Sequence, residues 1–599
     1  SHLKLELRQW QMSHMGDMSP QEKEYLPKQA FHLTPGGAGV TDMREQYEDA
    51  LRLLLTAAGC VLLIACANLA NLLLARGLKS RQQISVRVAL GASRRHLVLK
   101  ALVESLTLAV AGGIAGLAVA YGSTNLILKL AFTGPEHYIP IDAAPSMPVL
   151  LFAFGVSLLT GVAFGIAPAW MTSQAEPVEA LRGANRSTGQ GARWPQKALV
   201  IGQAAVSLVL LSAAAMLGQS LRNLEHQKFG FETRDRYLAF INPLLAGYQP
   251  DQLDLLYRKI EERIERIPGV RDYAAATYGP MSGDSWNDGV RVQGKPEPHS
   301  GDDDGASWTR VSPGFFETLS NPMVLGRPIT EQDTATSPQV AVVNEAFAKK
   351  FFKGEVPIGR HFGSGEMSHA GDYEIVGVAA DMRYLNYDLN KPDRAMYFLP
   401  SRQRTVYEKP SENTGDQWSH YLYNLILWAP GNRSGLEKQV RDALAEVDSN
   451  LVLVDFVSYP ELLQRDFGQQ NLIANLTLLF GGLALLLAAV GLYGVTAYTV
   501  EQRTNEIGIR MALGADRVRV LTMVLRSAFV QIGIGLAIGI PGAIAGGWAI
   551  TSQLFAVKPY DPAMLAFATL LLGMAAFVAA VIPARRASTV NPTDALRAE

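Results

Sequence analysis

Long uncharged runs and polar stretches alternate along this chain. Leu53 to Ala75 contains no charged residue, and neither do Ser105 to Leu128, Ala143 to Ala175, Ala198 to Leu221, Phe467 to Val500, Ser527 to Val557 or Pro562 to Ala584. Each run exceeds the roughly twenty residues needed to cross a bilayer. A buried core helix would account for one such run, but a soluble fold rarely produces seven, so seven spanning α-helices are predicted. Between Leu221 and Phe467 the pattern changes. Leu253, Leu256, Tyr257, Ile260, Ile264 and Ile267 recur at helical spacing in Asp251 to Ile267, and Pro268-Gly269 ends that helix. Val340 to Val343 and Glu374 to Val378 read as strands, separated by a helix that Asn344 can cap. Strands and helices without a regular βαβ rhythm predict an α+β insert.

The apolar runs repeat, together with what joins them. In Arg503 to Arg519 (RTNEIGIRMALGADRVR), Ile507 and Met511, and Ile509 and Leu513, recur at i,i+4, and Glu506 precedes Arg510 in the favourable order for an ion pair. Gly514 stops this short helix, and Asp516 is placed to cap the next one. The same construction occurs at Arg81 to Arg95. Gln83 precedes Ile84, and Ile84, Arg87, Ala89, Leu90, Gly91, Ala92 and Arg94 match Ile507, Arg510, Ala512, Leu513, Gly514, Ala515 and Arg517 at one offset of 423. Gly112 and Gly116 match Gly535 and Gly539 at that offset, which predicts a small-residue stripe for close helix packing in each half. Pro168, Ala169, Pro177, Ala180, Leu181 and Arg182 match Pro583, Ala584, Pro592, Ala595, Leu596 and Arg597 at an offset of 415.

Composition agrees with a mosaic of membrane and soluble parts. Of the 599 residues, 48% are hydrophobic and 18% charged, yet the mean hydropathy is only +0.09. A net charge of −1 identifies no partner. Its distribution is more useful. Arg76, Lys79, Arg81, Arg87, Arg94, Arg95 and Lys100 crowd the first connection, Arg182, Arg186, Arg193 and Lys197 the third, Arg503, Arg510, Arg517 and Arg519 the repeat of the first, and Arg585, Arg586 and Arg597 the end. By the positive-inside rule these face the cytoplasm, which leaves the N-terminal residues and the large insert outside.

Catalytic patterns are mostly missing. No GxxxxGK[ST], HExxH or GxSxG motif occurs, so no ATPase or hydrolase of those types is expected, and neither catalytic residues nor a cofactor are assigned. Asp302, Asp303 and Asp304, between Gly301 and Gly305, read as a solvated turn, since the spaced ligands of a calcium loop are absent. Cys60 and Cys66 lie in one apolar run and read as small core residues. Asn68 and Asn71, one helical turn apart inside a span, are expected to hydrogen-bond between helices.

Several segments resemble a known family. EQRTNEIGIRMALGA, CANLANLLLARG from Cys66 to Gly77, and the insert's PGVRDYAAATYGPMSG, VSPGFFETL, VLGRPIT, VAVVNEAFAKKFF, PIGR and EIVGVAADMR are similar to MacB/FtsX-type ABC transporter permeases, most of all to the duplicated permeases of acidobacteria. The resemblance runs from about His32 to the end. It implies a polytopic α-helical membrane protein of about seven transmembrane helices, with duplicated FtsX-like helical units and a large α+β periplasmic MacB-like core domain. On that plan residues 1–50 are the remnant of a first periplasmic domain, which makes the chain N-terminally incomplete. Residues 51–175 are the first FtsX-like unit, 176–222 a cytoplasmic linker and helix, 223–466 the periplasmic core domain, and 467–599 the second unit.

The resemblance also implies a bacterial inner-membrane permease subunit driven by a separate cytoplasmic ABC ATPase. Gln83, Ile84, Arg87, Leu90, Gly91, Glu506, Ile507, Arg510, Leu513 and Gly514 are the expected coupling residues. ATP hydrolysis would reshape the periplasmic domain for efflux or extrusion. Besides the lipid bilayer, a periplasmic adaptor or outer-membrane component is a candidate partner, whereas nucleic acid is not. An FtsX-like regulator that signals to a periplasmic enzyme without moving cargo is the alternative.

Overall fold

A computed structural model describes residues 42–79, 94–131, 146–173 and 193–589, with short breaks at 284, 300–301, 385–393, 408–409, 432–433 and 514–515, and only residues 6, 9, 10 and 13 of the first 41. The chain divides into two compact units, one of Ser1–Val40 with His226–Phe467, the other of Thr41–Glu225 with Gly468–Glu599.

The second unit opens with helices α1 (Asp42–Lys79), α2 (Arg94–Ala131), α3 (Met147–Ser173) and α4 (Arg193–Glu225). Even α3, with 27 residues, is about 40 Å long at 1.5 Å per residue, more than a hydrocarbon core of about 30 Å. Among the described residues, five stretches pass as membrane spans by length and composition: Glu48–Asn71, Trp194–Glu225, Gly468–Gln502, Arg517–Ala549 and Pro562–Ser588. The two further expected spans coincide with α2 and α3, and within α3 Met147–Leu159 is a shorter apolar stretch.

In the first unit, β1 (Arg236–Ile241) is followed by α5 (Leu253–Ile264), β2 (Asp272–Ala276), β3 (Trp286–Val292), β4 (Gly305–Val311), α6 (Phe315–Thr318), β5 (Met323–Gly326) and β6 (Val340–Asn344). Then come α7 (Glu345–Phe352), β7 (His361–Ser364), β8 (Tyr373–Ala379), β9 (Met396–Pro400), α8 (Pro410–Ser419), β10 (Asn424–Trp428), α9 (Leu436–Val447), β11 (Leu453–Ser458) and α10 (Tyr459–Asp466). The helix expected over Asp251 to Ile267 is shorter. Pro250 sets a 3₁₀ turn over Pro250–Gln252, and the regular helix ends at Ile264. Asn344 caps α7 as expected, its Oδ1 accepting from the Phe347 amide at 2.9 Å.

The strands form two layouts joined at one point. β11, β1, β10 and β2 make an open antiparallel sheet. Alternate residues of its strands (Tyr237, Ala239 and Ile241; Tyr273 and Ala275; Leu425 and Leu427) meet Leu256 and Ile260 of α5 and Val440 and Leu444 of α9. Strands β4, β3, β7, β8, β6 and β9 pair in that order, and β9 returns to β4, closing a six-stranded barrel with β5 added on β8. Its core holds Trp308, Phe362, Tyr373 and Tyr397, and α7 inserts Phe347 against Phe362 and Tyr397, with ring centroids 4.9 and 6.0 Å apart. Between the layouts the only β2–β4 pair is Ala276 with Val311.

Arg310, beside that pair and 1% exposed, reinforces the join. Its Nε donates to Ser419 Oγ (2.6 Å), its Nη1 to the carbonyls of Pro400 (3.0 Å) and Gln403 (2.6 Å), and its Nη2 to Asp416 Oδ1. Burial alone would raise the Asp416 carboxyl, but His420 and Arg310 hold it below the usual carboxylate range. The three aspartates of the 302–304 turn each have a partner: Asp302 accepts from the His299 amide, Asp303 from Lys350 Nζ and Asp304 from Arg291 Nη1.

The second unit resumes with α11 (Gly468–Gln502), α12 (Thr504–Ala512), α13 (Arg517–Ala549) and α14 (Pro562–Ser588). The sequence repeat reappears in the helix ends: α1 and α11 stop at 79 and 502, α2 and α13 start at 94 and 517, and α3 and α14 span 147–173 and 562–588. α4 packs against α1, α11, α13 and α14. More than half of its apolar window, 56%, is buried, against 28–39% in the other four spans, which makes α4 the central helix of this unit. Elsewhere exposed Leu55, Leu63, Leu479, Leu486, Phe567 and Leu570 give the outer faces a lipid-compatible surface.

Candidate functional site: a short helix anchored beneath three spanning helices

The link between α11 and α13 is where the sequence places a coupling element. α12 follows α11 after a turn at Arg503, and Glu506 and Arg510 form an ion pair of 2.6 Å that is about half exposed on both sides. Arg510 Nη1 also donates to Met523 Sδ of α13 at 2.9 Å. Ile507 lies on the inner side. It is 1% exposed and packs with Val520 of α13 and Ala587 of α14, with Val500 of α11 and Met523 and Val524 of α13 around them. Ile507 is therefore an anchor, and the outer surface belongs to other residues: Ile509 is 48% exposed, Leu513 83% and Val518 70%.

Asp516 occupies the position before α13 with extended backbone, and its carbonyl accepts from the amides of Arg519 and Val520 at 2.9 and 3.2 Å. The expected side-chain cap is not made, and the main chain alone starts the helix. Gly514, together with Gln83, Ile84, Arg87, Leu90 and Gly91 of the first copy, lies outside the described residues.

The glycine stripes differ between the halves. A Cβ at Gly535 would stand 2.6 Å from Ala204 Cβ, and one at Gly539 3.1 Å from Ala205 Cα, so α13 approaches α4 at backbone distance there. Gly112 and Gly116 meet nothing within 4 Å among the described residues. The close contact of α2 is one residue on, where a Cβ at Gly113 would be 3.2 Å from Ser157 Oγ of α3. The reason is the neighbour. α4 fills the stripe of α13, and no second helix of that kind lies on α2 among the described residues.

Inside the bundle Asn68 makes the expected interhelical bond, its Nδ2 donating to the Leu487 carbonyl at 2.7 Å. Gln203 of α4, which the sequence pattern did not single out, joins it. Its Nε2 donates to Asn68 Oδ1 at 2.9 Å and to the Ile64 carbonyl at 3.1 Å. A polar glutamine within an uncharged, apolar span was the available signal. Asn71 departs from expectation: it is 5% exposed, and its amide has no partner among the described residues. Cys60 and Cys66 of α1 are not joined in a disulfide, and Cys66 is buried.

The FtsX-like permease C-terminal family matches residues 55–177 and again 478–592, one match per half. The MacB-like periplasmic core domain matches residues 198–443 between them. The chain belongs to the MacB/FtsX-type ABC transporter permeases. Among curated relatives of this family, the pyoverdine export ATP-binding/permease protein PvdT of Pseudomonas syringae pv. syringae is 25% identical over 49% of this chain and 43% of its own length. The macrolide export ATP-binding/permease protein MacB of Chromobacterium violaceum is 25% identical over 56% of this chain and 50% of its own. The ABC transporter permease YknZ of Bacillus subtilis, uncharacterized, is 23% identical over 58% and 85%. This chain thus spans about half the length of the ATP-binding/permease relatives. Among solved structures, the periplasmic region of MacB from Actinobacillus actinomycetemcomitans aligns over 40% of this chain and 94% of its own, at 15% identity and a TM-score of 0.26. As a MacB/FtsX-type permease, the chain is a multi-pass membrane protein with a large domain of the MacB periplasmic type.

Proposed function

We propose that this chain is the permease subunit of a MacB-like ABC transporter of the bacterial inner membrane, driven by a separate cytoplasmic ATPase that docks on α12 and on its repeat mate at 81–95. The observation that carries this reading is the split character of α12. Its inner side holds Ile507 between α11, α13 and α14, while its outer side presents Ile509 and Leu513 beside the Glu506–Arg510 pair. An apolar patch with a charged rim is what a docking helix offers to a groove. Force applied there reaches three spanning helices through packed side chains, which have little compressibility. The names of the PvdT and MacB relatives join ATP-binding and permease functions, in keeping with an ATPase partner here. ATP turnover then changes the shape of the periplasmic domain, with efflux or extrusion as the outcome, and a periplasmic adaptor or outer-membrane component is a further partner.

The test is the double substitution Arg87→Glu with Arg510→Glu. An exposed helical pair contributes only about 0.3 to 0.5 kcal/mol, so the variant should insert and keep its thermal stability in detergent. Breaking a desolvated charge pair across a protein interface costs about 2 to 5 kcal/mol, so binding of the ATPase should weaken more than tenfold and its stimulation should disappear. Unchanged ATPase stimulation by the well-folded variant would place the docking surface elsewhere.

A further inference from the structure

The contact between α1 and α11 joins repeat mates. At the offset of 423, Asn68 corresponds to Gly491 and Ile64 to Leu487. These four residues meet one another. Asn68 Nδ2 donates to the carbonyl of Leu487 at 2.7 Å, and the carbonyl of Ile64 accepts from Gln203 Nε2 at 3.1 Å. The two mated carbonyls thus both serve as acceptors at the helix crossing. Gly491 stands directly against its own mate: a Cβ there would lie 2.2 Å from Asn68 Oδ1 and 2.7 Å from Gln203 Oε1. The backbones repeat while the side chains have diverged into a knob and a hole.

That divergence disfavours the symmetric alternatives. Asparagine at both positions sets a Cβ 2.2 Å from Asn68 Oδ1 and 2.7 Å from Gln203 Oε1, so both amides must turn away and give up the bonds they make in the crossing. Glycine at both leaves a gap and removes the donor to the Leu487 carbonyl and the acceptor for Gln203, in a bundle interior where water offers no replacement. One asparagine facing one glycine fills the space and pairs the Asn68 amide on both its nitrogen and its oxygen. α1 can make this contact with α11, but not with a second α1, and α11 cannot make it with a second α11. Single polar residues at helix interfaces fix partner and register in this way.

We propose that Asn68 and Gly491 are a pairing-specificity element that makes the two halves of one polypeptide each other's partner, so that the α1–α11 core of the permease is built within a single copy of the chain. The proposed occupant of the α1 surface is the chain's own second half. Gln203 supports this occupant, because α4 packs on both helices and bonds to the α1 side of the lock. The inference stands apart from what docks on α12.

Two measurements on the full chain test it. In a Cys60→Ala, Cys66→Ala background, Asn68→Cys with Gly491→Cys should oxidise to a disulfide within one chain, running at the mass of a single copy on a non-reducing gel. A product of twice that mass, or no crosslink, overturns the proposal. Because the cysteine pair itself alters the lock, the second measurement uses a swap. Gly491→Asn alone should lower the melting temperature in detergent by several degrees and broaden the size-exclusion peak. Adding Asn68→Gly should recover more than half of that drop, since the asparagine amide introduced on α11 can then donate to the Ile64 carbonyl. A tolerated Gly491→Asn, or a double variant whose drop equals the sum of those of the two single variants, overturns complementarity even where the crosslink forms.

Discussion

α2 and α13 begin at equivalent positions and carry glycines at the same places, yet they use them differently. On α13, Gly535 and Gly539 let the Ala204–Ala205 face of α4 come to backbone distance; on α2, Gly112 and Gly116 touch nothing described. A small-residue stripe therefore permits close approach without supplying the helix that approaches. The inner side of α12 shows the same dependence, because Ile507 is held where α13 and α14 close over it.

The largest effect expected from this comparison is at the anchor. Ile507→Ala should cost about 2 to 4 kcal/mol, since a fully buried branched side chain leaves a cavity its neighbours cannot close. Leu513→Ala, which removes a side chain 83% exposed, should change stability by less than about 0.5 kcal/mol. Thermal unfolding in detergent reads both. Ile84→Ala sharpens the comparison: a destabilisation matching that of Ile507→Ala would show that the segment at 81–95 is anchored as α12 is, and none would show that only α12 is.

Next in size is one substitution made at two mates. Gly535→Ala sets a methyl 2.6 Å from Ala204 Cβ and 3.0 Å from the Ile201 carbonyl, and should destabilise by about 1 to 3 kcal/mol. Gly112→Ala meets open space and should be neutral or stabilising by up to about 1 kcal/mol, the helix propensity difference. Opposite signs from the same change would confirm that the neighbour, not the motif, sets the energy. Equal destabilisation would mean that α2 has a close partner.

The smallest expected effect lies just before α11, where the second half has Asp466 and the first half has Met43 at the offset of 423. Burial pushes the Asp466 carboxyl up to about 6, and its Oδ2 is buried without a partner among the described residues. A raised carboxyl favours folding fully below its unfolded value of about 4, and the benefit is lost as pH rises through about 6. Asp466→Asn should therefore raise the melting temperature above that of the parent at pH 7.5, with the difference shrinking toward pH 5. A difference independent of pH would remove the titration from the explanation.

Much of this architecture is written locally. The apolar runs specify helices because a bilayer requires every backbone group to be paired within the segment, and helix ends at 79 and 502, and at 94 and 517, follow from the same repeated sequence. The Asn344 cap and the Glu506–Arg510 pair were legible for the same reason, since each joins residues three or four positions apart. Contacts distant in sequence were not. No periodicity says that β9 returns to β4 to close a barrel, that Arg310 reaches Asp416 and Ser419, or that Gln203 meets Asn68. The sequence by itself determined the helices, their duplication and the positions of the glycines. Only the tertiary structure decided which glycines are pressed against a neighbour and that Ile507 faces inward, because burial depends on what another segment brings to the same place.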